Sequence, residues 1–338
     1  LLVAAGAGEE EAQAVAHSLV ASNLCGHDSH GVVRIAWYAR QIAEGELVPG
    51  AEFEVLHETP ALLACDGHFG FGQVQARRLL ERTMDRARTM GVASGTLRNC
   101  GHIGRLGEYT EAAATAGLTA LLTCNDNGIY RVVAPPGGIE PRVSTNPISI
   151  AVPTDQGPVV FDASTSAVAQ GKTLVHRLDR RPCPEGWLQD ARGNPTTDPF
   201  VLEAEPPGAL LPLGGAQAYK GFGLAVMLDM LVGGLSGGFC PPPQPGARMC
   251  NTVLLVVWDP ERFGSREHLV QQASLLVESI RTCPRKPGVE EIPLPGDHSR
   301  ATRARRQAEG IPLQEGTWQK LCELAERLEV SPPPEESI

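Results

Sequence analysis

The sequence has no C-x-x-C pair, no excess of basic residues and no uninterrupted apolar run of the roughly 18 residues that a membrane span requires. Each absence excludes something. The nine cysteines (Cys25, Cys65, Cys100, Cys124, Cys183, Cys240, Cys250, Cys283 and Cys322) are scattered and odd in number, so no disulfide framework is expected. Free thiols in a reducing, cytoplasmic compartment are the expectation. With 29 Lys+Arg against 39 Asp+Glu, the net charge of −10 disfavours a phosphate backbone, and no nucleic-acid partner is expected. The apolar start Leu1–Ala7 runs into Glu9, Glu10 and Glu11 with no basic stretch, unlike a secretion signal. Together with the missing apolar run, this predicts no membrane association. Also missing is a G-x-G-x-x-G turn, since Gly70-Phe71-Gly72 and Gly221-Phe222-Gly223 both lack the third glycine. A dinucleotide, if bound, must be held by another fold.

What is present suffices for one large core or two ordinary ones: 338 residues, 42% of them hydrophobic. Ala12, Val15, Ala16, Leu19 and Val20 recur at helical spacing within 9–22, behind an acidic first turn. Further helices are predicted at 73–90, 106–116, 219–235 (buried), 266–281, 299–308 and 316–328. Strands are predicted at 91–98, 118–124, 148–152, 159–161 and 253–258, a proline-rich surface loop at 236–247, and a frayed end over 331–338. Helical ends around a β-containing middle suggest an α/β chain with one helical domain assembled from both termini.

A compact set of polar residues stands out near the start. If 28–38 begins a helix, Asp28 or Ser29 caps it, His30 and Arg34 share one face, and Tyr38 follows a turn later. Such a face offers an acid/base beside a carboxylate clamp, as reduction of a 2-oxo acid requires. The same spacing also suits a core histidine and a surface ion pair. His27-x-x-His30 could present two imidazoles to a metal, but no third ligand stands at a known spacing, and no metal is expected. A second histidine, His102, lies between Gly101 and Ile103-Gly104 after the strand at 91–98, where exposed backbone N–H groups can receive an anion. Asp162-Ala163-Ser164-Thr165-Ser166 and Lys220-Gly221 are turns where N–H groups could meet phosphate.

These segments, with Gly70-Phe71-Gly72-Gln73-Val74 and Ser144-Thr145-Asn146-Pro147-Ile148, form six collinear motifs over about residues 10–310. In that combination the chain resembles the type-2 malate/L-lactate dehydrogenase family. The resemblance implies an α/β fold with a non-Rossmann mixed-sheet NAD(P)-binding domain at 61–260, plus a helical domain from 1–60 and 261–338. It implies hydride transfer between NAD or NADP and a small-molecule 2-hydroxy or 2-oxo acid, in a homodimer. By motif, His30 and His102 are the active-site histidines, Ser29 orients His30, Arg34 holds the carboxylate, and Lys172 is a third polar group. His102 is favoured as the acid/base with His30 beside the nicotinamide, and the two duties remain open to exchange. The implied cofactor contacts are His30, Thr145, Asn146, Asp162, Ala163, Ser164, Lys220, Gly221, Pro295, Gly296 and Asp297. The sequence departs from the family at Ser144, usually glycine, and at 126–133, which runs long. A catalytically silent NAD(P)- or metabolite-binding protein on the same fold is the competing reading.

Overall fold

The computed structural model describes residues 1–332. In chain order its helices and strands are α1 (Glu9–Leu24), α2 (Ile35–Ala43), β1 (Glu54–Glu58), β2 (Leu62–Asp66), α3 (Gly72–Met90), β3 (Val92–Cys100), α4 (Gly107–Thr115), β4 (Thr119–Asn125), β5 (Ile148–Val152) and β6 (Val159–Ala163). They continue with α5 (Gln170–Leu178), β7 (Leu188–Gln189), β8 (Pro195–Thr196), β9 (Ala209–Leu210), α6 (Ala218–Ser236), β10 (Asn251–Trp258), α7 (Pro260–Phe263), α8 (Arg266–Arg281), α9 (Asp297–Glu309) and α10 (Glu315–Arg327). The predicted helices and strands are all found, most within two residues of their expected ends. The frayed end expected at 331–338 falls, from residue 333 on, outside the described residues.

A seven-stranded mixed sheet in the order β1-β2-β3-β10-β4-β5-β6 organises the chain. Only β2 and β3 run parallel; every other neighbouring pair is antiparallel. The last strand in sequence is therefore the middle strand in space. Its alternation explains the layering: Val253, Leu255 and Val257 join Leu79, Leu80 and Ala113 of α3 and α4 in one core. The opposite face of the sheet receives α6, where Asn125 of β4 donates to Asp229 at 2.7 Å. The strands β8-β7-β9 form a separate small sheet.

The ends of the chain meet. α1 packs on α9, and α2 packs on α10. Leu2, Val15, Leu19, Tyr38 and Phe71 form the core beneath them.

Two expectations need correction. Residues 28–38 are not one α-helix but two 3₁₀ turns, Asp28–His30 and Val32–Arg34, followed by α2. Gly31 divides them because the chain there runs against Asn23; a Cβ at Gly31 would lie 2.1 Å from Asn23 Oδ1. That oxygen accepts the Val32 N–H at 2.9 Å. Secondly, α6 is buried on only one side. Gly221, Ala225, Leu228, Asp229 and Val232 face inward, whereas Leu224, Met227, Met230, Leu231 and Leu235 are between 41% and 61% exposed. Among the described residues the stretch Gly215–Ser236 is the one helix long and apolar enough to cross a membrane. Its packing on β10 and β4, and its buried Asp229, are those of a core helix with a bare outer face.

Candidate active site

The end of β3, the two 3₁₀ turns and the start of α2 converge on a pair of histidines. The rings of His30 and His102 stack with centroids 5.5 Å apart and planes 23° from parallel. Ser29 Oγ lies 3.0 Å from His30 Nδ1, the contact that orients the ring. Tyr38, fully enclosed on α2, places its hydroxyl 2.7 Å from His102 Nδ1 and accepts the Gln73 amide N–H at 2.7 Å. Trp37 meets the edge of His102, and the guanidinium of Arg34 lies 5.4 Å from the Trp37 ring centroid. Among the described residues Arg34 spends only its Nε–H, donating to the Ser29 carbonyl at 2.7 Å. The planar fork beyond Nε matches a carboxylate.

Electrostatics set the protonation of this cluster. Burial, then the Arg34 charge, lowers the His30 pKa to about 3; burial, Arg34 and His30 hold His102 well below the ordinary histidine range. Both rings are neutral near pH 7, so their nitrogens are split between donor and acceptor roles. Burial raises Tyr38 to about 12, against the opposing pull of Arg34 and Gln73. Burial also lowers the pKa of His27, to about 4, with Arg105 and Lys172 adding to the shift. Lys172 itself stands on the first turn of α5, which packs against the Asp28–His30 turn. Its charge reaches His27.

The expected cofactor residues fall into two further groups. In the first, Asp162 and Ala163 end β6, and Asp162 Oδ2 accepts the Gly107 N–H at the start of α4 at 2.7 Å. The Pro295 carbonyl accepts the Val160 N–H at 3.3 Å, which brings Pro295-Gly296-Asp297 alongside β6. Asp297 is largely committed at home: it accepts the Leu294 N–H at 2.8 Å and pairs with Arg281 and Arg300. In the second group, the Thr145 carbonyl accepts both the N–H and the hydroxyl of Thr165 at 2.9 and 2.8 Å. Ser164 is linked to Ser166 Oγ at 3.1 Å, and Asn146 donates to Asp229 and to the Ala225 carbonyl of α6 at 2.8 and 3.1 Å. Lys220, exposed, and Gly221, against Leu213, occupy the first turn of the same helix.

The sequence reading missed Arg105, although it directly follows the Gly101-His102-Ile103-Gly104 motif. It is 5% exposed, pairs with Glu111 at 2.9 Å, and leaves its Nε without a partner. A Cβ at Gly107 would sit 2.6 Å from an Arg105 terminal nitrogen and 2.9 Å from Asp162 Oδ2, so a larger residue there would displace those two side chains. Arg105 thus places a buried cation beside the Asp162 carboxylate at the start of α4, whose first N–H groups are taken by Asp162 and by the Arg105 and Leu106 carbonyls. Also missed was the bracing of the Ser29–Arg34 segment. Asn23 donates to Asp28 at 2.7 Å, and Arg306 of α9 grips the same carboxylate at 2.6 and 3.0 Å. Among the described residues, no group of three or more His, Cys, Asp or Glu side chains could hold a metal ion.

Comparison with known proteins places the whole chain. The sequence profile described as malate/L-lactate dehydrogenase matches residues 1–322. Hydroxycarboxylate dehydrogenase B of Escherichia coli K12 is 36% identical over 98% of this chain and 91% of its own length. The structure of malate dehydrogenase from Pyrococcus horikoshii OT3 superposes with a TM-score of 0.87 at 33% identity, covering 98% of this chain and 92% of the other. Sulfolactate dehydrogenase from Methanocaldococcus jannaschii gives 0.85 at 28% identity, over 98% and 94%. With six collinear motifs, a shared fold and a profile match over almost its whole length, the chain belongs to the malate/L-lactate dehydrogenase family.

Proposed function

We propose that this enzyme moves a hydride between NAD or NADP and C2 of a small 2-hydroxy or 2-oxo acid, with His102 as the acid/base and Arg34 as the carboxylate clamp. The observation that carries the reading is the pair of stacked neutral histidines beside a guanidinium whose terminal nitrogens no group among the described residues uses. His102 can exchange a proton with the C2 oxygen through Nε2, because Nδ1 faces Tyr38. His30, oriented by Ser29, forms the neighbouring wall, where a flat nicotinamide can lie. Lys172 adds positive charge on the α5 side.

The chain's own groups suit a dinucleotide held outside a Rossmann crevice. Arg105 offers a buried cation for phosphate beside the start of α4, and Asp162 offers a carboxylate for a hydroxyl. Thr145, Asn146, Ser164, Lys220 and Gly221 line the continuation, and the Asn146 Oδ1, buried without a partner, suits a ligand N–H. Pro295, Gly296 and Asp297 close the β6 end through backbone groups. Bound there, the nicotinamide supplies or accepts the hydride.

The reading extends to a homodimer, with a second copy covering the bare apolar face of α6. A panel of 2-oxo acids offered with NADH and with NADPH tests the activity. Turnover of at least one acid is expected, and Arg34→Lys should raise KM on the order of tenfold or more while lowering kcat less, because an ammonium cannot reproduce the bidentate fork. Unchanged kinetics in that variant would remove the clamp assignment.

A further inference from the structure

We propose that Tyr38 is the proton source behind His102: as the ring's Nε2 proton passes to the substrate's C2 oxygen, the tyrosine hydroxyl proton passes to Nδ1 of the same ring. The inference rests on the reading of His102 as the acid/base and adds to it the residue on which that histidine depends.

The geometry is a three-member chain enclosed in protein. Gln73 Nε2–H donates to the Tyr38 oxygen, and the Tyr38 hydroxyl lies 2.7 Å from His102 Nδ1. Gln73 is 2% exposed and Tyr38 1%, so water does not compete for either bond. With the Gln73 hydrogen already on the phenol oxygen, the phenol's own hydrogen points to Nδ1. His102 is then held as the neutral ring with hydrogen on Nε2, the tautomer that can donate to a ketone.

A neutral imidazole that simply gave up Nε2–H would become an imidazolate, a very strong base. An imidazolium would be disfavoured by burial and by the facing charge of Arg34. The relay avoids both. Hydride from a reduced nicotinamide dinucleotide adds to C2, and the C=O π pair forms a new O–H bond with the Nε2 proton. The Tyr38 O–H bond breaks as Nδ1–H forms. The resulting phenolate accepts two hydrogen bonds, from Gln73 Nε2–H and from the new Nδ1–H, and lies within the field of Arg34. As product leaves, water entering the vacated site protonates Nε2, and the Nδ1 proton returns to the phenolate.

The reverse reaction runs the same relay backwards. It starts from the state with hydrogen on Nδ1, Nε2 bare and Tyr38 as the phenolate: the hydroxyl proton passes to Nε2 as the Nδ1 proton returns to the tyrosine oxygen, and the hydride leaves C2 for the oxidised dinucleotide. Gln73 Nε2–H stays on that oxygen throughout. Tyr38 touches neither substrate nor cofactor in this scheme and acts only through His102.

The test is long-range proton–nitrogen NMR of the full-length enzyme carrying ¹⁵N-labelled histidine, with His102 assigned by its loss in His102→Gln. His102 should show a single neutral tautomer in the unsubstituted enzyme and a mixture of tautomers in Tyr38→Phe. The same variant should lose about 10²-fold in kcat on a 2-oxo acid, with KM changed only a few-fold since Arg34 is untouched. An identical His102 spectrum and undiminished kcat in Tyr38→Phe would overturn the relay while leaving the acid/base assignment standing. Retained turnover in His102→Gln would instead overturn the assignment, and the relay with it. Should Tyr38→Phe fold poorly, Gln73→Leu, which removes the other end of the chain, is read by the same spectrum.

Discussion

At the residue scale, the site's histidines tie stability to pH. His27 and His30 have folded pKa values of about 4 and 3, below the ordinary 6.5, so between those values and 6.5 the unfolded chain binds more protons than the folded one. Their contribution is fully present above pH 6.5 and is lost as pH falls, by about 1.4 kcal/mol per histidine for each pH unit inside its window. Asp126, which burial raises to about 7, works in the opposite sense: it costs stability as pH rises toward 7. A His27→Gln comparison separates the two. The melting temperature of the unsubstituted protein should drop more steeply than that of the variant between pH 6.5 and 4.5, and parallel curves would contradict a neutral His27. How much of this was legible in the sequence differs by residue. The Ser29-to-Arg34 segment and His102 could be picked out as chemically suitable. Arg105 could not, because nothing local marks an arginine as buried, and neither could the service of Gln73 and Tyr38 to a histidine 64 positions along from Tyr38.

At the scale of elements, periodicity located the long helices and the buried strands well, since α3 and β10 owe their form to patterns of burial that repeat along the chain. It failed where a tertiary contact decides. The 28–38 segment has helical spacing, yet the approach of Asn23 at Gly31 splits it into two turns, and the tighter winding reaims His30 and Arg34. It also could not divide α6 into inner and outer faces, because that helix is apolar nearly all round. The outer stripe is where the proposed self-association belongs. Replacing Met227 and Leu231 together by Asp should convert a dimer to monomer in sedimentation experiments, since two carboxylates would be buried unpaired at the contact. A dimer that persists unchanged would place the interface elsewhere.

At the scale of the whole molecule, the last third of the chain returns to support the first. Arg306 on α9 and Asp28 in the first 3₁₀ turn are 278 positions apart and form a bidentate pair, with the arginine side chain 11% exposed. Arg306→Met should cost on the order of 1–3 kcal/mol and lower kcat/KM by loosening the segment that carries Ser29, His30 and Arg34. In a double-mutant cycle with Asp28→Asn, most of that loss should be shared between the two changes; additive losses would show that the pair does not couple the termini. The sheet repeats the lesson in a form that concerns synthesis. β10 separates β3 from β4, so a ribosome has delivered the chain through residue 258 before the middle of the sheet is complete. Until then the nascent protein carries two partial sheets with open apolar edges, the state in which it most needs a chaperone and most easily pairs with the wrong neighbour.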